Sequence, residues 1–137
     1  MFRHVGIVVN DIDKMLRFYQ DILNLEIMYD KIESGVFLNH ILNSNNLSPR
    51  IIKLGKNSDT IVELLYFGNN DLKSKNLFDN GYTHFAITVD SCDKLYDKIV
   101  SLNLEVVNLP LISQENKVKV FFAKDPENNI IEFVELL

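Results

Sequence analysis

The chain contains a repeat. His4-Val5-Gly6-Ile7-Val8-Val9-Asn10, followed by Asp13-Lys14-Met15, returns as His84-Phe85-Ala86-Ile87-Thr88-Val89-Asp90, followed by Asp93-Lys94-Leu95, at an offset of 80. Asn24-Leu25-Glu26-Ile27 returns as Asn103-Leu104-Glu105-Val106 at an offset of 79, and Ile61-Val62-Glu63-Leu64-Leu65 as Ile130-Ile131-Glu132-Phe133-Val134 at an offset of 69. The extra length therefore lies in the first copy. Self-similarity on this scale means one supersecondary unit used twice, so each copy must supply the same elements in the same order.

Each copy opens on a β-branched run, Val5 to Val9 and Phe85 to Val89, and passes through an Asn or Asp suited to capping a helix. Apolar residues then recur at helical spacing: Ile12, Met15, Leu16, Tyr19, Ile22 and Leu23 in the first copy; Cys92, Leu95, Tyr96, Ile99 and Leu102 in the second. Strands are expected at Glu26 to Tyr29, Ile51 to Leu54 and Ile61 to Phe67, and again at Glu105 to Leu109, Lys117 to Lys124 and Ile130 to Leu136. Both copies thus read β-α-β-β-β, an α+β fold of two tandem βαβββ modules with curved mixed sheets around a central metal-binding pocket.

The expected organisation is one domain over residues 1–137, with a first module over about 1–67, a linker over about 68–81 and a second module over about 82–137. The polar linker includes Lys73, Ser74 and Lys75, with one helical turn expected around Leu77-Phe78. Asp125-Pro126-Glu127-Asn128-Asn129 signals a hairpin, since proline presets the turn and Asn tolerates positive φ. Within the long connection from Asp30 to Arg50, Val36 to Leu42 is expected as a short lid helix.

Glu63 and Glu132 each stand in the middle of an otherwise apolar strand. An ionised carboxylate out of water costs several kcal/mol unless it is paired or bound to a metal. For either residue alone, a half-exposed strand facing solvent would suffice, and a single His opening a strand is ordinarily a surface or hydrogen-bonded residue. Matched positions in both copies change the balance. Modules related by a pseudo-two-fold axis bring equivalent positions toward that axis, so His4, Glu63, His84 and Glu132 are expected to meet around one divalent metal ion. Two imidazoles and two carboxylates suit a borderline ion such as Ni, Zn, Co, Mn or Fe.

Composition narrows the setting. At 47% hydrophobic and 24% charged residues the chain is an ordinary globular protein, and a net charge of −5 without a basic cluster argues against nucleic acid. No apolar run approaches the length of a membrane span and no signal peptide opens the chain, so a cytoplasmic location is expected. Cys92 is the single cysteine, which excludes an internal disulfide; its place on a helical stripe reads as packing.

The same residues carry a resemblance. His4-Val5-Gly6-Ile7-Val8-Val9 with Phe18-Tyr19, Val62-Glu63-Leu64-Leu65, His84 to Asp90, and Asp125 to Glu132 are similar to the corresponding motifs of the vicinal oxygen chelate superfamily, which includes glyoxalase I, methylmalonyl-CoA epimerase and the extradiol dioxygenases. The similarity spans nearly the whole chain. It implies that His4, Glu63, His84 and Glu132 occupy four metal-ligand positions, and that the activity is that of a lyase, isomerase or epimerase acting on a small-molecule substrate. In those relatives a proton leaves the carbon next to a carbonyl, and the resulting enediolate is stabilised by the metal. The resemblance makes Glu132 the first choice for the base and Glu63 the second. Glu33, in Ile32-Glu33-Ser34-Gly35-Val36, resembles an additional epimerase carboxylate. His40, which could reach the pocket from the lid, reads more readily as a solvent-facing loop residue. Relatives of this length usually pair, so a homodimer is expected.

Departures from the family pattern bear on the reaction. Glyoxalase I enzymes typically carry an arginine where this chain has Val8, which leaves glutathione without that anchor. Asn128 replaces the usual turn glycine, a change both conformations allow. An extradiol-type dioxygenase is the alternative enzyme, although Glu63 would fill a position that oxygen chemistry needs open; a small-molecule (antibiotic) binding protein of the same fold is the non-enzymatic alternative.

Overall fold

In the computed structural model, residues 2–71 and 76–137 are described. The chain divides into two compact units, Met1–Leu72 and Lys73–Leu137. The first contains β1 (Val5–Val8), α1 (Ile12–Leu23), β2 (Glu26–Ile32), α2 (Val36–Ile41), β3 (Arg50–Lys56) and β4 (Asp59–Tyr66); the second contains β5 (His84–Thr88), α3 (Cys92–Ser101), β6 (Leu111–Ile112), β7 (Val118–Lys124) and β8 (Ile130–Leu136). Each unit has one four-stranded mixed sheet, ordered β1-β4-β3-β2 in the first and β5-β8-β7-β6 in the second. In both, the opening strand runs parallel to the last, and the remaining neighbours are antiparallel. The α+β, βαβββ reading of the repeat holds.

The helices form where caps and stripes coincide. Asp11 accepts a hydrogen bond from the Lys14 backbone N–H at 2.9 Å, and Asn24 ends α1 in the left-handed region at φ 53°. Ile12, Met15, Phe18, Tyr19 and Ile22 are the buried face, with Phe18 taking the place expected for Leu16, which is only half-buried. α1 packs on β3 and β4, and α3 on β7 and β8. In the second unit Phe121 stacks on Phe133 at 4.9 Å between centroids, and Tyr96 meets Phe121 edge-on at 5.8 Å. Cys92, the first residue of α3, is fully buried, its thiol donating to the Lys119 carbonyl at 3.2 Å, and burial raises its pKa.

Two loops behave as their chemistry requires. Asp125 Oδ1 accepts from the backbone N–H groups of Glu127 and Asn129, both at 2.9 Å, and Asn128 takes φ 67° between β7 and β8. α2 forms within the long first-unit connection, with Leu38 buried beneath it and His40 exposed.

The strand expected at Glu105 to Leu109 is largely replaced. Val106 forms an isolated bridge to Ala123, and the regular strand is the two-residue β6. A side chain is the cause: Asn108 Oδ1 accepts from the Phe122 N–H at 2.8 Å, taking a ladder position, and Pro110 follows two residues later with no N–H to offer. Around Leu77-Phe78 the chain makes a turn closed by Asp79 N–H to the Asn76 carbonyl at 3.1 Å, whereas Lys73, Ser74 and Lys75 of the expected linker lie outside the described residues.

Candidate metal centre

Glu63 sits on β4 between the fully buried Val62 and Leu64, and strand alternation turns it to the opposite face. It pairs in register with Gly6 of β1 on one side and Lys53 of β3 on the other. His4 precedes Gly6 by two residues and so points to the same face. The result is a contact of 3.4 Å between His4 Nε2 and Glu63 Oε2, the two side chains being 27% and 17% exposed.

The second unit repeats this arrangement. Glu132 lies between the fully buried Ile131 and Phe133, and pairs with Ala86 of β5 and Phe122 of β7. His84 Nε2 stands 3.2 Å from Glu132 Oε2. Gly6 and Ala86 are equivalent small residues beside the two carboxylates, so each Glu side chain can lie along its neighbouring strand. A methyl added at Gly6 would sit 3.9 Å from Glu63 Oε2.

The surroundings of the two pairs differ. Lys53 Nζ lies 3.4 Å from Glu63 Oε1 and also 5.4 Å from the centroid of the Tyr29 ring, its register partner on β2. The Tyr29 hydroxyl donates to Glu33 Oε1, and that hydrogen bond is the main reason its pKa is raised. Lys31 Nζ stands 5.5 Å from the same ring. In the second unit Phe122 fills the position of Lys53, and the His84 ring meets it edge-on at 5.2 Å. Thr83 Oγ1 lies 2.8 Å from His84 Nδ1, fixing the ring so that Nε2 faces Glu132. By contrast His4 Nδ1 is buried without a hydrogen-bond partner among the described residues.

The structure therefore brings His4 to Glu63 and His84 to Glu132, and places Glu33 on the Tyr29 hydroxyl rather than on a ligand pair. Within neither unit does a third His, Cys, Asp or Glu join a pair, among the described residues. The spacing of each pair suits metal donors. Contacts of 3.4 and 3.2 Å exceed the about 2.7 to 2.9 Å of a charge-assisted N–H···O bond. Two donors about 2.1 Å from a shared ion, at tetrahedral or right angles, stand about 3.0 to 3.4 Å from each other.

Lys53, Tyr29 and Thr83 carry no motif of their own. Their place beside the histidines and carboxylates comes from strand register and, for Thr83, from preceding His84 in the chain. A separate cleft of about 810 Å³ in the first unit, lined by Asn10, Asp11, Arg50, Tyr66 and Asn69 among others, holds none of the candidate ligands. Arg50 there forks onto Asp30 at 2.9 and 2.8 Å and reaches Asp13 at 2.9 Å, so its charge is already met.

Comparison with known proteins agrees with this architecture. A protein of Synechocystis sp. named "Probable lactoylglutathione lyase" is 29% identical over 134 residues, covering 96% of this chain and 92% of that protein. A metallothiol transferase, FosB, of Lysinibacillus sphaericus is 23% identical over 133 residues, covering 95% and 78% respectively. The crystal structure of a glyoxalase family protein from Bacillus cereus superposes with a TM-score of 0.87 at 18% identity, over 99% of this chain and 93% of that one. No helix among the described residues is long and apolar enough to cross a membrane. The family model for the glyoxalase/bleomycin resistance protein/dioxygenase superfamily matches residues 2–133, and with the repeated βαβββ units this places the chain in that superfamily.

Proposed function

We propose that this protein is a metal-dependent lyase or isomerase that removes a proton from the carbon next to a substrate carbonyl, with His4, Glu63, His84 and Glu132 as ligands of one divalent ion. The observation that carries the reading is the doubled His–Glu pair at equivalent register, with Nε2 facing a carboxylate oxygen at 3.4 Å in one unit and 3.2 Å in the other. The names of the two relatives, a lyase and a metallothiol transferase, support an enzyme that uses a metal. When bound, a divalent ion acts as a Lewis acid on substrate oxygens, worth several kcal/mol to a developing negative charge.

The chain's own residues divide the remaining work. His84 is oriented by Thr83, and His4 by its packing beside Glu63. Glu63 is tied to Lys53 and serves to hold the ion. Glu132 has Ala86 and Phe122 as its cross-strand neighbours and no cation on either, so its carboxylate is the freer of the two to accept a proton. Glu33, engaged by the Tyr29 hydroxyl, is the weaker candidate for that role.

Metal analysis tests the reading directly. Purified wild-type protein should carry about one divalent ion, as a single four-ligand site requires, and His4→Ala or His84→Ala should lower the affinity about tenfold or more. Equal metal content in wild type and both variants, under limiting metal, would refute it.

A further inference from the structure

Lys53 places a cation beside the first His–Glu pair, where the second pair has Phe122 at the same register. Its ammonium, on a side chain 36% exposed, has three N–H donors, and the contact with Glu63 Oε1 at 3.4 Å engages at most one of them. The Tyr29 ring at 5.4 Å from Nζ holds the head group over the sheet face that Glu63 occupies. We propose that Lys53 binds an anionic oxygen group of the substrate beside the metal ligands, so that the site takes small oxo acids carrying a carboxylate, phosphonate or phosphate. This rests on the metal reading given above.

Charge supports it. With a divalent ion held, the carboxylates of Glu63 and Glu132 offset its two positive charges, and the histidines bind as neutral imidazoles. Lys31 and Glu33, which both meet Tyr29, offset each other. The charge of Lys53 then has no counter-charge among these residues, because the Glu63 carboxylate that pairs with it also serves the metal. A site with one surplus positive charge favours a substrate with a negative one, and a lysine donor to that group forms a charge-assisted hydrogen bond. In the second unit Phe122 stands at the same register and can supply neither charge nor donor.

The test uses oxalate, an anionic probe with oxygens on adjacent carbons, titrated calorimetrically into the full-length protein loaded with Mn²⁺. Lys53→Met should retain the ion and bind oxalate roughly tenfold or more weakly, the usual loss of a hydrogen bond to a charged group. Lys53→Arg should recover most of that affinity, and Lys31→Met should match wild type. Unchanged oxalate affinity in Lys53→Met with the ion fully bound overturns the proposal alone, and so does an equal loss in Lys31→Met, which would mean a diffuse positive field. A wild-type protein that takes up no divalent ion overturns the metal reading and this inference with it.

Discussion

Gly55 holds the hairpin that carries both Lys53 and Glu63, and replacing it with alanine should be among the most damaging single changes in the first unit. A Cβ at this position would stand 2.0 Å from the Asp59 carbonyl oxygen and 2.6 Å from Met28 Sδ. Even a close carbon–oxygen contact needs about 3.3 Å, so roughly 1.3 Å must be found. Met28 is a flexible thioether and can swing aside. The Asp59 carbonyl cannot, because Lys56 pairs with Asp59 across a two-residue turn whose Asn57 and Ser58 already take φ 52° and 71°. Overpacking against fixed backbone costs about 1 to 3 kcal/mol, and the upper end applies here. At this chain length that corresponds to a fall in Tm of about 10 °C. Gly6→Ala is the internal control. There a Cβ meets Leu65 Cδ1 at 3.4 Å, an ordinary contact, and Ala86 already occupies the equivalent place. Removing a glycine from a strand should stabilise by about 0.5 kcal/mol. Since the chain has no tryptophan, urea unfolding is best followed by far-ultraviolet circular dichroism. Gly55→Ala unfolding at the wild-type midpoint, or Gly6→Ala proving the more damaging of the two, would refute this account of the hairpin.

Two further predictions concern charge and chemistry. The Arg50 fork holds the Asp30 carboxyl below the ordinary carboxylate range, so the pair stabilises the fold above the unfolded value of about 3.9 and loses that contribution as pH falls through the lower folded value. With both side chains about one-third exposed the effect should stay below about 1 kcal/mol, and Arg50→Met should flatten the acid limb of stability measured between about pH 5 and 2; an unaltered acid limb would show that other carboxylates dominate. For any 2-oxo acid or thioester that the wild type turns over in deuterated water, Glu132→Gln should slow exchange of the α-hydrogen by about 10² to 10⁴, with Glu63→Gln milder. Exchange at the wild-type rate in metal-loaded Glu132→Gln would transfer the base to Glu63 or Glu33.

The repeat made the architecture legible because strand order and helix position follow from duplicated patterns: the offsets between copies align β1 with β5 and β4 with β8. Caps and stripes located α1 and α3, although burial picked Phe18 over Leu16 and left Leu102 half exposed at the end of α3. The failure at Glu105 to Leu109 was of another kind. Its β-branched pair Val106-Val107 favours a strand, but the Asn108 side chain competes for the Phe122 N–H, a bond between residues 14 apart that no local pattern reveals. The His and Glu pairings within each unit were legible as matched positions. Lys53, Tyr29 and Glu33 were not legible as one group, because what joins Lys53 to Glu63 and Tyr29 is sheet register, which depends on where the β2 irregularity near Met28 falls.

Register also explains how two copies of one module come to differ where chemistry would need them to. A strand-borne carboxylate has two lateral neighbours. On the parallel side both copies keep a small residue, Gly6 or Ala86, which leaves room for the Glu side chain and for the histidine two residues before it. On the antiparallel side the copies diverge to Lys53 and Phe122. Duplication supplies two equivalent carboxylates, but an acid–base site needs one that stays and one that can move. On the proposed function, a lysine beside one and a phenyl ring beside the other would divide those roles without altering either strand. Exchanging them tests the idea: a Lys53→Phe, Phe122→Lys double variant should keep both sheets, since each position is half-buried on an otherwise intact strand, and should make Glu63 the more sensitive of the two carboxylates to substitution by Gln. If Glu132→Gln remains the more damaging change in that background, the neighbours do not set the roles, and the difference must come from elsewhere in the two units.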